Sequence, residues 1–567
     1  MKRCPECRRD YVDDTLLYCL EDGVALVQGS VSIDEPQTAI LHQTAPPVEA
    51  PTRAQIHMTE VLASGTTEVP TKNFDKRWLM GAIAAAVIVA GGLFGYRYIG
   101  YSANRQIESI AVMPFVNDSG NADVEYLSDG MTETLISSLS KVPNLSVKAR
   151  SSVFRYKGKN VDARTVGSEL GVQAVLNGRV VQRGDQISVT LELVDVSNDN
   201  VIWSEKYERR SSDLVTLQSE IARDVSTKLK SRLSRVEEAK VTRISTSNPE
   251  AYELYLKGRY QWSKRTPESL KKAVEFYDQA INRDQDYALA HSGLAETYVL
   301  FPNYSVALPL DSMPKAKAAA LRAIELDDSL AEAHTALGTY YSLFAWNQPA
   351  AEKEFRRAIE LNPNYASAHQ QFGIECLTAI GRFDEAVAES RRAAELDPAS
   401  PIIAADLGNV LFRARRFDEA LAQLNRALDL DPNFWVTRWY LGQVYQAKGQ
   451  YAEAVGEHQK ALAANDNPWV KAQLIRSLVK AGKRDEAVNL LAELQSDASR
   501  RVVSSASLAL AYDAMGEKDK AFALLDKEIT ERNSRPPVFA FNPLWDDFRE
   551  DPRFTDLIKR VEASKID

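Results

Sequence analysis

From Asn248 to about Ile529 the chain repeats itself at intervals of 34 or 35 residues. Gly338, Gly373, Gly408 and Gly442 keep this beat, and so do Ala323, Ala358, Ala393, Ala427 and Ala461. Pro363, Pro398 and Pro432 recur in LNPN, LDPA and LDPN, and the tags FDEA (Phe383, Phe417), YAEA (Tyr451) and RDEA (Arg484) recur downstream of the glycines. Thirty-four residues hold two short helices and their turns. Gly and Ala let the two helices approach closely, and Pro stops the second before the next unit begins. One such unit cannot bury its apolar face alone, so the units must stack into a continuous superhelix. The period therefore predicts an all-α superhelix over residues 248–530. An early unit (Tyr252–Asp286) and a stretched one containing Phe301–Leu310 precede the regular array, and degenerate capping units follow Asn465.

This period, with small residues at the helix contacts and proline at the exit, resembles the tetratricopeptide repeat. With the recurrent glycine as position 8, position 11 holds Tyr341, Cys376, Leu411 and Tyr445, which makes Cys376 a buried, inert thiol. Positions 2, 5, 9, 12 and 13 of the first helices line the inner face of such a superhelix. Here they include Thr335, Thr339, Gln370, Asn409, Phe412, Arg413, Trp439, Gln443 and Gln446. An aromatic ring among amides and a guanidinium suits an extended peptide or partner loop, so this groove is the candidate site for a protein partner. The two-lysine clamp that grips a C-terminal carboxylate in some relatives is absent. The tail at 531–567 carries Leu544, Phe548, Phe554, Leu557 and Ile558 at roughly helical spacing, and reads as a helical cap on the last apolar face.

A second constraint lies upstream. Trp78–Tyr96 holds no charged residue over 19 positions, about the length that crosses a bilayer core. Arg77 and Arg97 frame it, and aromatic rings sit at both ends, where amphipathic rings favour the headgroups. Residues 78–97 are therefore expected to be one transmembrane helix, not a cleaved leader, because some 77 residues precede it. Lys72, Lys76 and Arg77 outnumber Arg97 and Arg105. This bias puts the N-terminus in the cytoplasm and the C-terminal body outside the bacterial inner membrane. Three of the four cysteines precede the span, on the reducing side.

Those three open the chain. Cys4-Pro5-Glu6-Cys7 is a two-residue-spaced thiolate pair, and Cys19 to Asp22 repeats the spacing with a carboxylate in the fourth place. Three thiolates and one carboxylate form a sound tetrahedral zinc set, and a fully protein-ligated ion is structural. Residues 1–27 thus resemble a short zinc ribbon of the kind found at the start of many bacterial membrane proteins. From 28 to 74 the sequence is rich in Pro, Thr, Ala, Glu and Gln without a period, and reads as a disordered tether.

Between span and repeats, residues 108–235 read as an α/β domain with a mixed sheet. SIAVMPF and LSVKA are strands. A helix is expected from Asp129 to Leu139, capped by Ser128 or Asp129, and another over VDARTVGSELG ending at Gly171. AVLNGRVVQRG, QISVTLELVDV and NVIWSEKYERR form a meander, and a helix near Asp213–Leu233 closes the unit. These motifs together resemble the TolB-like amino-terminal domain, which often precedes tetratricopeptide repeats in bacteria. The resemblance implies a sensory or scaffolding module and brings no catalytic residue with it.

No phosphate-binding GxxxxGK[ST] loop, kinase catalytic loop, nucleophile elbow or HExxH occurs. His291, His334 and His369 fall at matching repeat positions, and acid pairs such as Asp546-Asp547 read as surface charge. A net charge of -9 argues against a nucleic-acid-coating surface. The chain is thus expected to be a non-enzymatic, single-pass membrane scaffold or sensor acting through its repeats. The alternative is a signalling or transcriptional regulator whose zinc knuckle, with Lys2, Arg3, Arg8 and Arg9 nearby, contacts nucleic acid or protein.

Overall fold

A computed structural model describes residues 2–3, 10–11, 27–28 and 107–566, except 143, 230–233, 305 and 533–538. The chain divides into two units, Met1–Leu93 and Phe94–Asp567. In the first, β1 (Lys2–Arg3) pairs antiparallel with both β2 (Asp10–Tyr11) and β3 (Val27–Gln28). The zinc-ligand candidates Cys4, Cys7, Cys19 and Asp22, the tether beyond Gln28 and the apolar stretch at 78–97 lie outside the described residues. Among the described residues, no helix is long and apolar enough to cross a membrane.

The second unit begins with a mixed sheet. Strands β4 (Ser109–Val112), β6 (Ser146–Val147) and β7 (Ala174–Arg183) run parallel, and β8 (Gln186–Asp195) and β9 (Asn200–Arg210) continue antiparallel in the order β6-β4-β7-β8-β9. A short β5 (Val116–Asn117) also pairs with β7. Ile110, Ala111 and Val112 are buried on both faces, which explains the unbroken apolar run of β4. Helices Glu125–Ser140 and Leu214–Leu229 pack on one another and bury Met131, Leu135, Leu217 and Ile221 completely. One boundary differs from the sequence reading. The first helix starts at Glu125, because Asn121 caps a preceding 3-10 turn by accepting from the Asp123 amide, so Ser128 and Asp129 lie inside it and cap nothing. Asp129 instead accepts from Lys157 at 2.5 Å.

Eight consecutive helix pairs follow among the described residues, from Pro249 to Glu531. This is the tetratricopeptide-type array. The close approach is tightest at Gly442, where an added methyl would sit 2.3 Å from the buried ring of His458 on the partner helix. Each regular pair turns through one left-handed residue. Glycine supplies it at Gly381, Gly449, Gly482 and Gly516, but Arg265, Trp346 and Arg415 stand in that conformation with φ of 54°, 56° and 61°. The next amide then bonds back to the first helix, as Arg416 does to the Leu411 carbonyl at 2.9 Å. The matched histidines clasp these units. His334 and His369 each set Nδ1 2.6 Å from a carboxylate of the second helix, Glu354 and Glu389, and Nε2 against a loop carbonyl six residues upstream.

Burial lowers the pKa of His458 from its ordinary 6.5 to about 3. The unfolded chain therefore binds the extra proton between those values, and the folded chain does not. The stability that His458 contributes is complete above about pH 6.5 and is lost as pH falls towards 3. The full span is on the order of 4–5 kcal/mol. Melting curves between these pH values should fall more steeply for the native chain than for His458→Met, whose neutral side chain fills a similar space.

After the last pair the chain turns back. A 3-10 turn (Pro543–Phe548) and a helix (Pro552–Ala563) bury Trp545, Phe548, Phe554 and Leu557 against Leu510, Phe522 and, from the third pair, Trp346. The Ile566 amide closes the loop by donating to the Ala345 carbonyl at 2.8 Å.

Candidate functional site

The first helices of successive pairs lie side by side and form one wall. Every groove residue read from the repeat register can be placed on it. Thr335, Thr339, Gln370, Asn409, Phe412, Arg413 and Gln443 are all buried, and Trp439 and Gln446 are half-buried. Several are engaged between repeats. Gln370 donates to Asp406 at 2.7 Å, and Arg413 donates to the Ile374 carbonyl at 2.8 Å and to Thr378 at 2.9 Å. Thr335 and Thr339 donate back to carbonyls one turn earlier in their own helix, at 2.8 and 2.9 Å. Trp439 stacks on Trp435 with ring centres 6.0 Å apart and also contacts Tyr440. Cys376 is fully buried, and burial pushes its thiol up to about 12, so it has no thiolate reactivity at neutral pH.

The tail runs along this wall. Asp546 receives a two-pronged bond from Arg415 at 2.7 and 2.9 Å, and Arg476 donates to the Leu544 carbonyl at 2.5 Å and to Asp547 at 2.7 Å. Phe541 packs edge-on against Phe383. The acid pair that reads as surface charge in the sequence is thus a docking element. Burial pushes the Asp547 carboxyl up, but Arg476 and Lys480 outweigh it and hold the group below the usual carboxylate range. The sequence carries one signal for this docking. Where sister units place glycine at the left-handed turn, three units place Arg265, Trp346 and Arg415, and the latter two contact the tail.

Magnitudes separate the two arginines. Arg415 and Asp546 are half exposed, so their pair is worth about 0.2–1 kcal/mol, while a left-handed non-glycine residue costs roughly 1–2 kcal/mol. Arg415→Gly should therefore leave stability within about 1 kcal/mol of the native chain by thermal melting. Arg476 is buried, so Arg476→Ala leaves the Leu544 carbonyl without its donor and should cost about 2–3 kcal/mol.

A cavity of about 230 Å³ remains between wall and tail, lined by Phe412, Gln443, Gln446, Tyr451, Arg476 and Lys480, with Leu544, Asp546 and Asp547 on the tail side. It contains three of the sequence-derived groove residues, Phe412, Gln443 and Gln446. Arg415 lies in the turn, outside the inner-face positions. Arg476 and Lys480, 33 residues after Gln443 and Ala447, take positions 9 and 13 of the next unit, but there Ile475 replaces the glycine that marks the register.

At its other end the array holds the mixed-sheet domain through a buried ionic chain. Arg259 donates to Glu133 through Nε at 2.8 Å and also through Nη2, and to Glu296 at 2.6 Å. Arg150 adds a second cation 3.3 Å from Glu133, and Tyr365 donates to Glu296 at 3.1 Å. Asp397, in a repeat loop, accepts from Ser151 and, at 2.5 Å, from Ser152. Burial raises the Asp397 carboxyl despite these donors. No cluster of potential metal ligands occurs among the described residues.

Sequence comparison matches residues 105–224 to the second domain of HilA/YgeH-like transcriptional regulators, and residues 310–480 to the regulator of microtubule dynamics protein 1-3 family. A protein of Rhizobium meliloti (strain 1021) named adenylate cyclase 3 is 34% identical over 230 residues. The match covers 40% of this chain and 39% of that protein, so the chain spans well under half the length of this relative. Among solved structures, PilF of Pseudomonas aeruginosa is 19% identical, covering 40% of this chain and 98% of that one, with a TM-score of 0.30. YrrB, described as a tetratricopeptide protein with an unusual peptide-binding site, is 24% identical, covering 36% and 96%, with a TM-score of 0.24.

Proposed function

We propose that this chain is a non-enzymatic scaffold or sensor that recruits a protein partner through its helix-pair array. The observation that carries the reading is the continuous first-helix wall, with a polar cavity left open between it and the tail. The absence of catalytic motifs from the sequence supports it. A photocrosslinking residue at Gln446, beside the cavity, should give an adduct with a protein partner in cells, and one at the exposed Glu395 on a second helix should not. Adducts from Glu395 alone, or from neither position, would refute the reading.

Within this proposal the sequence features upstream supply the address. Residues 78–97 anchor the chain in the bacterial inner membrane as a single helix, with the body from Glu108 onward, including the TolB-like domain, outside the cytoplasm. Alkaline phosphatase fused after Asp567 should then be active, and activity of a cytosol-only reporter in its place would reverse the topology. Cys4, Cys7, Cys19 and Asp22 hold one structural zinc ion. Metal analysis of the reconstituted amino-terminal peptide should find about one equivalent, and Cys19→Ala should weaken binding more than Asp22→Ala.

A second reading has its own observation, the match of residues 105–224 to a domain of transcriptional regulators. In that reading the chain transmits a signal and the zinc knuckle touches nucleic acid or protein. DNA retention by residues 1–30 at low and physiological salt distinguishes the two, and retention at neither salt removes the nucleic-acid contact.

A further inference from the structure

The cavity between wall and tail has unused hydrogen-bonding capacity, and its cationic donors outnumber its carboxylates. Gln443 is 5% exposed and lines the cavity, where its amide can both donate and accept. Arg476, also 5% exposed, keeps Nε without an acceptor. The Gln446 carbonyl oxygen accepts from Ser477 at 3.2 Å, which leaves its NH₂ as a donor. Lys480 stands half exposed beside the cavity, and its ammonium reaches Asp547 only at 3.5 Å. The Arg476 Nε–H, the Gln446 NH₂ and the Lys480 ammonium are therefore cationic or neutral donors that a ligand acceptor can meet.

The charges agree. Asp546 is bound by Arg415 and lies 3.3 Å from Arg549, and Asp547 is bound by Arg476 and Lys480. Asp513 interacts electrostatically with Arg476 and Asp547. Asp513 also has Lys518 beside it, and neither it nor Arg549 lines the cavity. The lining itself holds three cations, Arg415, Arg476 and Lys480, and two carboxylates, Asp546 and Asp547, which leaves one positive charge. The volume, about 230 Å³, suits one side chain and not a folded element. Phe412 and Leu544 supply an apolar floor for its methylene groups.

We propose that this pocket seats one acidic side chain, aspartate or glutamate, of an extended partner segment, held by Gln443, Gln446, Arg476 and Lys480. The assignment rests on the reading that the array binds a protein. A carboxylate offers about four lone-pair sites, enough to satisfy the unused donors together, and it neutralises the surplus charge. An amide of the same shape would leave that charge without a counter-ion. The tail acts here as a fixed wall: Trp545 anchors it, and its carboxylates keep Arg415 and Arg476 in place.

The test uses the full-length protein and two capped peptides that differ in one residue, Ac-Ala-Leu-Glu-Leu-Ala-NH₂ and its Gln counterpart, by calorimetry. The Glu peptide should bind about tenfold or more tightly than the Gln peptide at low salt, and the gap should narrow as salt rises. Lys480→Met and Gln443→Leu should each reduce binding of the Glu peptide about fivefold or more, with little change for the Gln peptide. Lys480 is half exposed, so its variant reads the site even where Gln443→Leu disturbs packing. Equal affinities for the two peptides, no heat from either, or a Lys480→Met chain that binds the Glu peptide as well as the native chain would each overturn the assignment. If crosslinks from Gln446 persist in that event, the array still binds a protein and only the pocket's chemistry is refuted.

Discussion

Arg259→Ala should lower the stability of the body from Glu108 onward by about 3–5 kcal/mol, with loss of cooperative melting between the mixed-sheet domain and the array. The size follows from what remains behind. Glu133 and Glu296 would both stay buried, and Arg259 is the cation that bridges them. Burial pushes the Glu133 carboxyl up, but Arg259 and Arg150 outweigh it and hold the group below the usual range. Glu296 stays raised by burial even with Arg259 present. Without the guanidinium, Glu296 takes up a proton at neutral pH or the interface opens. Replacing all three with apolar residues of similar volume should cost far less than removing the arginine alone, because a buried charge without a partner is worse than no charge. Differential scanning calorimetry reads both outcomes: two separated transitions in Arg259→Ala and one in the triple variant. A loss under about 1 kcal/mol would mean that water reaches the chain of charges and screens it.

Trp545→Ala is the second large effect, again about 3–5 kcal/mol. The indole is 2% exposed and lies between Phe539, at 4.1 Å between ring centres, and Phe548, at 5.3 Å. It shares a core with Trp346 of the third pair and Leu510 of the last, so it joins two distant parts of the array. Truncation should free the tail, release Arg415 and Arg476 from Asp546 and Asp547, and make residues near Phe541 a protease site. Limited proteolysis with thermal melting reads this directly. A melting temperature close to that of the native chain would show that the tail is held by its charges alone. The contrast with Arg415→Gly is the informative part, since that variant removes an ion pair from the same segment and should leave stability nearly unchanged.

These two predictions concern contacts that the sequence does not display, and the reason is physical. The 34-residue beat states which faces of each helix are small or apolar, so the pairs, the tight glycine approaches and the inert Cys376 were readable residue by residue. The alternation of β7, β8 and β9 and their turns made the meander of the sheet readable in the same way. Each of these is a local pattern, repeated within a few turns of chain. The Glu125–Ser140 helix begins earlier than its periodic run because the Asn121 side chain, eight positions before Asp129, begins the preceding turn.

Charged partners obey no period. Arg415 and Asp546 are 131 residues apart, and Ser152 and Asp397 are 245 apart. Whether such groups meet depends on where eight stacked pairs carry the chain, an outcome of many small rotations between helices that no single repeat encodes. The register could say that Gln443 and Phe412 belong to the first-helix wall. Only the fold could show that the tail returns to close this wall, converting an open groove into a small pocket with three cations and two carboxylates. The sequence by itself determined the units and their stacking, through the periodicity of burial. The tertiary structure decided which charges are buried together and which cation keeps an unused donor, Arg476, because those depend on the summed curvature of the array.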